Sequence, residues 1–241
     1  MRWTKVAAAG ITSATIWAVT AQMAVQTPAP APPHPRPVIF LDPAHGGADG
    51  GAKVGDSVLE KAVTLELASR IRPLLSARGF DVRMTREGDP TPTPTTDQRA
   101  GLENQAHPAA CIILHSAPTG TGVHLYTSAL PEATTAATPP ATSIVPWDEA
   151  QSAYIASSLR LSSEISTAFS RSQIAISSGR TWMPPLDNLL CPAVAIEIAP
   201  LNADGSKPPT DAGYQQRVAE AIAGAVLFWH GKADPTTGAA Q

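Results

Sequence analysis

The chain has 241 residues, 43% of them hydrophobic and 15% charged, with a formal net charge of −3 at pH 7. This apolar share is enough for the core of one ordinary domain, and the low charge leaves neither a basic field for nucleic acid nor an acidic tail. The two cysteines, Cys111 and Cys191, form no CxxC or zinc-finger spacing and so do not point to cysteine-based metal binding.

Residues 1–21 have the layout of an export segment. Arg2 and Lys5 precede a mostly apolar run, Val6 to Val19, and Val19-Thr20-Ala21 offers small residues at a cleavage site. The run is shorter than the roughly 20 residues of a comfortable span; a signal peptide and an uncleaved N-terminal anchor both remain open. No cysteine follows, so a lipoprotein is not expected. Residues 22–37 are rich in proline and alanine and predict an extended spacer. The folded domain is expected over 38–232, with a frayed tail at 233–241.

Val38-Ile39-Phe40-Leu41 predicts a short buried strand, stopped by Asp42-Pro43, with His45-Gly46-Gly47 at its mouth. Apolar positions Val58, Ala62, Leu65, Ala68, Ile71 and Leu75 predict an amphipathic helix that Pro73 kinks and Gly79 closes. Phe80 to Thr85 alternates as a strand, and Thr95 to Ala106 reads as a polar helix. Ala110 to His115 is a second buried strand ending in a histidine, and Gly122 to Thr127 a further strand. Ala/Thr/Pro-rich residues 128–146 predict a surface insertion. A helix follows from Asp148 to about Phe169, then an apolar strand, Ala193 to Ile198, and a closing helix, Asp211 to His230. Strands alternating with helices predict a single α/β domain, its mixed and mostly parallel sheet flanked by helices on both faces. The cysteines each sit at the start of an apolar run, where a disulfide and two separate buried thiols are both compatible.

Three apolar strands thus carry a lone ionisable residue near the end: His45, His115 and Glu197. Such a group must be exposed in a cleft, paired or bound to metal, because burying it unpaired is costly. Two histidines and a carboxylate also form the ligand set of open catalytic zinc sites. Glu60 has a competing role, since Ser57-x-x-Glu60 before an apolar helix is a capping-box signature.

His45-Gly46-Gly47, with Glu60-Lys61 fifteen residues on, resembles the zinc-dependent N-acetylmuramoyl-L-alanine amidases of the bacterial cell wall. The resemblance continues through Thr85-Arg86, Asp89, Arg99, Asn104, Ile113-Leu114-His115-Ser116-Ala117, Gly122-Val123-His124-Leu125-Tyr126 and Pro192 to Glu197, and spans nearly all of residues 38–230. It implies that His45, Glu60 and His115 are zinc ligands and that Glu197 is the catalytic carboxylate. Zinc would lower the pKa of its water and polarise the scissile carbonyl, and Glu197 would carry the proton to the leaving nitrogen. His124 stands where relatives often carry an acidic residue and is a candidate for lining the cleft.

The implied substrate is peptidoglycan, cut between N-acetylmuramic acid and the L-alanine of the stem peptide. The implied location is the periplasm or cell envelope of a bacterium, with membrane contact only through an uncleaved anchor. An activator protein is a further candidate partner. Alternatives are a zinc peptidase or carboxypeptidase acting on peptidoglycan, and a catalytically silent wall-binding module. The chain departs from the family at Asp187, where many relatives carry an arginine, and at Ala199-Pro200-Leu201, in place of Gly-Phe-Leu. The first departure predicts a cleft of altered charge.

Overall fold

The computed structural model describes residues 35–55, 57–133 and 146–233. The export segment, the spacer up to residue 34, most of the 128–146 insertion and the tail beyond Ala233 lie outside the described residues.

Among the described residues, six strands form one sheet: β1 (Val38–Pro43), β2 (Asp81–Met84), β3 (Ala110–Ser116), β4 (Val123–Ser128), β5 (Ile176–Thr181) and β6 (Ala193–Ile198), in the order β2-β1-β3-β6-β4-β5. β2, β1, β3 and β6 run parallel; β4 pairs antiparallel to β6, and β5 runs parallel to β4. The mixed, mostly parallel sheet matches the expectation. β1, β3 and β6 are almost wholly buried, which is why they read as continuous apolar runs.

Helices cover both faces. On one side lie α1 (Glu60–Ser76), α3 (Ile155–Arg171) and α4 (Ala212–Ala233), whose Leu67, Ile71, Phe169, Val218 and Ile222 pack with Leu41, Ile112 and Ile196 of the sheet. The other side is thinner. There α2 (Thr96–Gln105) and a short 3-10 helix, Leu186–Asn188, supply Ala100 and Leu186, which pack with Phe40, Cys111, Ile113 and Ala195. A capping box between Thr95 and Gln98 starts α2.

Several boundaries differ from expectation. β5 has no counterpart among the expected strands: Ile-Ser-Ser-Gly-Arg-Thr has one apolar residue, but an edge strand exposed on both faces needs little apolar alternation. The insertion starts later than residue 128, because Ser128 closes β4 and both Ser128 and Leu130 are buried. The helix expected from Asp148 begins as a 3-10 segment, Trp147–Tyr154, and turns α-helical only at Ile155. Pro73 lies inside α1 without ending it.

Cys111 and Cys191 form a disulfide that ties β3 to the approach to β6 across a sequence separation of 80. Both are fully buried. In the loop-entropy account, a closed loop of that length stabilises the fold by about 4–5 kcal/mol. The Cys111→Ala/Cys191→Ala variant is therefore expected to melt about 10 °C or more below the parent by scanning calorimetry.

A buried polar cluster sits between β1 and α2. Arg99 donates to Asp42 Oδ1, while Glu103, on the same helix, is fully buried with neither carboxyl oxygen hydrogen-bonded. Burial, reinforced by the Asp42 charge and only partly offset by Arg99, pushes the Glu103 carboxyl well up. A raised folded-state pKa gives stability that is complete below the unfolded value, about 4.3, and is lost as pH rises through the folded value. Glu103→Gln is accordingly expected to gain stability relative to the parent from about pH 5 upward. Urea unfolding across a pH series checks the trend, and a difference that does not change with pH would refute it.

Candidate metal centre

Three parallel strands deliver the site at their carboxyl ends, where ligand-handling residues of α/β sheets collect. His45 follows β1, His115 is the penultimate residue of β3, and Glu197 is the penultimate residue of β6. Glu60 arrives from elsewhere, as the first residue of α1, after a loop whose backbone pairs Glu60 N–H with Ala52 O and Lys61 N–H with Gly50 O.

His45 sits in the left-handed region, at φ 65°, a conformation uncommon outside glycine. Two buried arginines hold the backbone there. Arg86 donates to the carbonyls of Pro43 (2.9 Å) and Ala44 (3.1 Å), and Arg99 donates to those of Pro43 (3.1 Å) and His45. Asp89 fastens the next turn by accepting from Gly47 N–H (3.3 Å) and Lys61 Nζ (2.6 Å). Arg86, Asp89 and Arg99, which entered only through the family resemblance, thus hold the histidine loop. Asn104 acts elsewhere, joining α2 to the loop before β6 through Asn188 O (2.9 Å) and Leu190 N–H (2.7 Å).

The side chains converge. His115 Nδ1 lies 2.9 Å from Glu60 Oε1, and His45 Nε2 lies 3.1 Å from Glu60 Oε2. One ligand-type atom from each of the three falls within 4.8 Å of the others. Glu60 also accepts backbone N–H groups from Ala52 (2.9 Å) and Ser116 (3.0 Å). Burial alone would raise its carboxyl pKa, but the bonds from His115, His45 and the two amides outweigh burial and hold it well below the usual carboxylate range. The same contact with Glu60 is the main cause of a raised pKa at His45, against the lowering effect of burial. The capping-box role is not realised: Leu59, not Ser57, is the N-cap of α1, and it makes no side-chain cap.

This donor set fits a zinc-type cation: two imidazoles and a carboxylate, partly open to solvent. Gly51 supports the fit. It has φ +65°, and a Cβ there would come within 2.6 Å of His45 Cδ2 and 2.7 Å of Glu60 Oε2, intruding on the cradle. Asp49 adds an outer contact that residue order alone did not reveal: its carboxylate lies 2.8 Å from His45 Nδ1, where it can accept a hydrogen bond and leave Nε2 toward Glu60. Its only sequence signal is an acidic residue four positions after the histidine.

Glu197 lies opposite His115 in the parallel β3–β6 register and opposite His124 in the antiparallel β4–β6 register. All three side chains therefore share one face. They are 23–31% exposed, within reach of a large substrate. Tyr126, farther along that face of β4, has its phenol pKa raised first by burial and then by the Glu197 charge.

Asp187 is elsewhere. It is buried, accepts from Ser128 Oγ and from Met183 N–H (2.6 Å), and steadies the short helix at the opposite end of β4. The Asp187 carboxylate itself is thus used within the fold rather than in the cleft. His107 lies in a loop and His230 packs edge-on against Phe80, both apart from the cluster; His34 lies outside the described residues.

A mixed α/β sheet with two imidazoles at or just beyond its strand ends, a carboxylate at the start of α1 and a second carboxylate on the next strand presents the donor set of a candidate metal centre. Residues 39–227 match the family model described as N-acetylmuramoyl-L-alanine amidase, and the chain belongs to that family. It is 60% identical over 52 residues to the germination-specific N-acetylmuramoyl-L-alanine amidase of Bacillus subtilis, a stretch covering 22% of each chain. The fold is similar to that of the N-acetylmuramyl-L-alanine amidase Ami1 from Mycobacterium smegmatis, with a TM-score of 0.64 and 23% identity over 81% of this chain and 97% of that one. It is also similar to the CwlD amidase from Clostridioides difficile, solved in complex with the GerS lipoprotein. That likeness has a TM-score of 0.60 and 21% identity, over 83% of this chain and all of that one.

Proposed function

We propose that this chain is a zinc-dependent peptidoglycan hydrolase that cleaves the amide between the lactyl group of N-acetylmuramic acid and the L-alanine of the stem peptide. The observation that carries the proposal is the convergence of His45, Glu60 and His115 beside Glu197, in a chain that belongs to the amidase family. His45, Glu60 and His115 would hold the zinc. Once bound there, zinc supplies Lewis-acid polarisation of the scissile carbonyl and acidifies water. Glu197 removes a proton from the attacking water and delivers it to the departing nitrogen, so that hydrolysis yields a lactyl carboxylate and a free L-alanine amine. Asp49 orients the His45 ring, and the Arg86–Arg99 grip holds the backbone of the loop that carries it.

Residues 1–21 and the Cys111–Cys191 disulfide both suit export to an oxidising envelope compartment. The zinc peptidase alternative uses the same donor set, so the products discriminate. Purified peptidoglycan digested by the full chain is expected to release stem peptides with a free L-alanine N-terminus, identified by mass spectrometry. Release of D-alanine alone would replace the amidase with a carboxypeptidase, and the absence of products from zinc-loaded protein would favour a silent wall-binding module. The CwlD–GerS complex motivates repeating the digestion with candidate envelope lipoproteins to detect an activator.

A further inference from the structure

Glu197 is flanked by a histidine on each neighbouring strand, and only one of them, His115, belongs to the metal cradle. The other, His124, places Nδ1 2.9 Å from Glu197 Oε1. In the general-base role proposed for Glu197 its carboxylate accepts this hydrogen bond, which calls for the His124 tautomer that carries its proton on Nδ1. The ring's position is prepared by Gly120, at φ +101°. A Cβ at residue 120 would stand 3.1 Å from His124 Cε1 and 3.3 Å from the Ala199 methyl, closer than ordinary packing allows. Direct antiparallel pairing, a hydrogen bond and a cleared space therefore fix one imidazole against the carboxylate.

We infer that His124 is a positioning residue for Glu197, an inference that rests on Glu197 being the general base. A free glutamate side chain samples several rotamers. A bond to Oε1 removes most of that freedom and leaves Oε2 to meet the proton of the attacking water. Preset orientation of this kind acts on turnover rather than on substrate affinity.

The test uses the full, zinc-loaded chain with His124→Phe, His124→Asn, Glu197→Gln and the His124→Phe/Glu197→Gln double variant. His124→Phe keeps a ring but has no donor; it is expected to lower kcat roughly 10- to 100-fold, with KM and zinc content unchanged. His124→Asn, which can present an N–H near the same point, is expected to recover most of the loss. The double variant is expected to be no slower than Glu197→Gln alone, because His124 acts through that carboxylate. In the metal-free parent protein, nitrogen-detected NMR should find the His124 proton on Nδ1, and Glu197→Gln should shift that signal. Normal kcat in His124→Phe beside an inactive Glu197→Gln overturns this inference alone, as do losses that multiply in the double variant or a proton on Nε2 only. Full activity in Glu197→Gln overturns the base assignment, and this inference with it.

Discussion

Exchanging Glu197 for glutamine is expected to reduce turnover on peptidoglycan by about 10²–10⁴-fold, the range attributed to a general acid–base, while zinc content and thermal stability stay at parent levels. Glutamine keeps the shape and one acceptor oxygen but cannot take a proton from water near neutral pH. The side chain is 31% exposed and is bonded to His124, so the exchange leaves no deeply buried group unpaired. Activity assays beside elemental analysis of the same preparation check both halves. A variant that loses its zinc as well would mean that Glu197 helps to hold the metal, and the roles assigned to Glu60 and Glu197 would have to be redrawn.

Glu60→Ala is expected to act differently, on the metal and on the fold. Its carboxylate faces both imidazoles of the cradle and accepts two backbone amides, of Ala52 and Ser116. Removing it takes away a proposed zinc ligand, so bound zinc should fall from stoichiometric to a small fraction, with activity following. It also strips acceptors from amides next to the cradle, at a cost of about 1–3 kcal/mol for each donor that stays buried. The metal-free variant should therefore unfold at lower urea than the metal-free parent. Unchanged metal-free stability would mean that water replaces the carboxylate, and unchanged zinc content would refute the ligand role.

The contrast between these two glutamates bears on what could be read from residue order. Val38 to Leu41, Ala110 to Leu114 and Ala193 to Ile196 are recognisable as strands because both faces of the sheet are covered there, so each position must be apolar. The lone ionisable residues at their ends stand out for the same reason. Glu60 does not, because a glutamate three residues after a serine at a helix start satisfies a local capping pattern equally well. Only tertiary placement, with Ser116 N–H and the His115 ring arriving from β3, separates the two roles. β5 escapes detection because an exposed edge strand takes its structure from pairing with β4 rather than from its own composition. The place of Asp187 was not legible either: a carboxylate near the last strand in sequence is bound to Ser128, at the far end of β4 in space.

The Arg86–Arg99 grip also bears on which residues position 45 can accept. The guanidinium groups hold carbonyl oxygens, so the loop's course is set by main-chain atoms and does not depend on an imidazole at 45. What position 45 must tolerate is the left-handed backbone, which favours histidine, asparagine and aspartate and penalises branched side chains. Two of those three are metal-binding residues of different hardness. The loop therefore acts as a socket with a restricted vocabulary, in which the cation preferred at the strand ends could be retuned through one side chain while the scaffold beneath it stays unchanged.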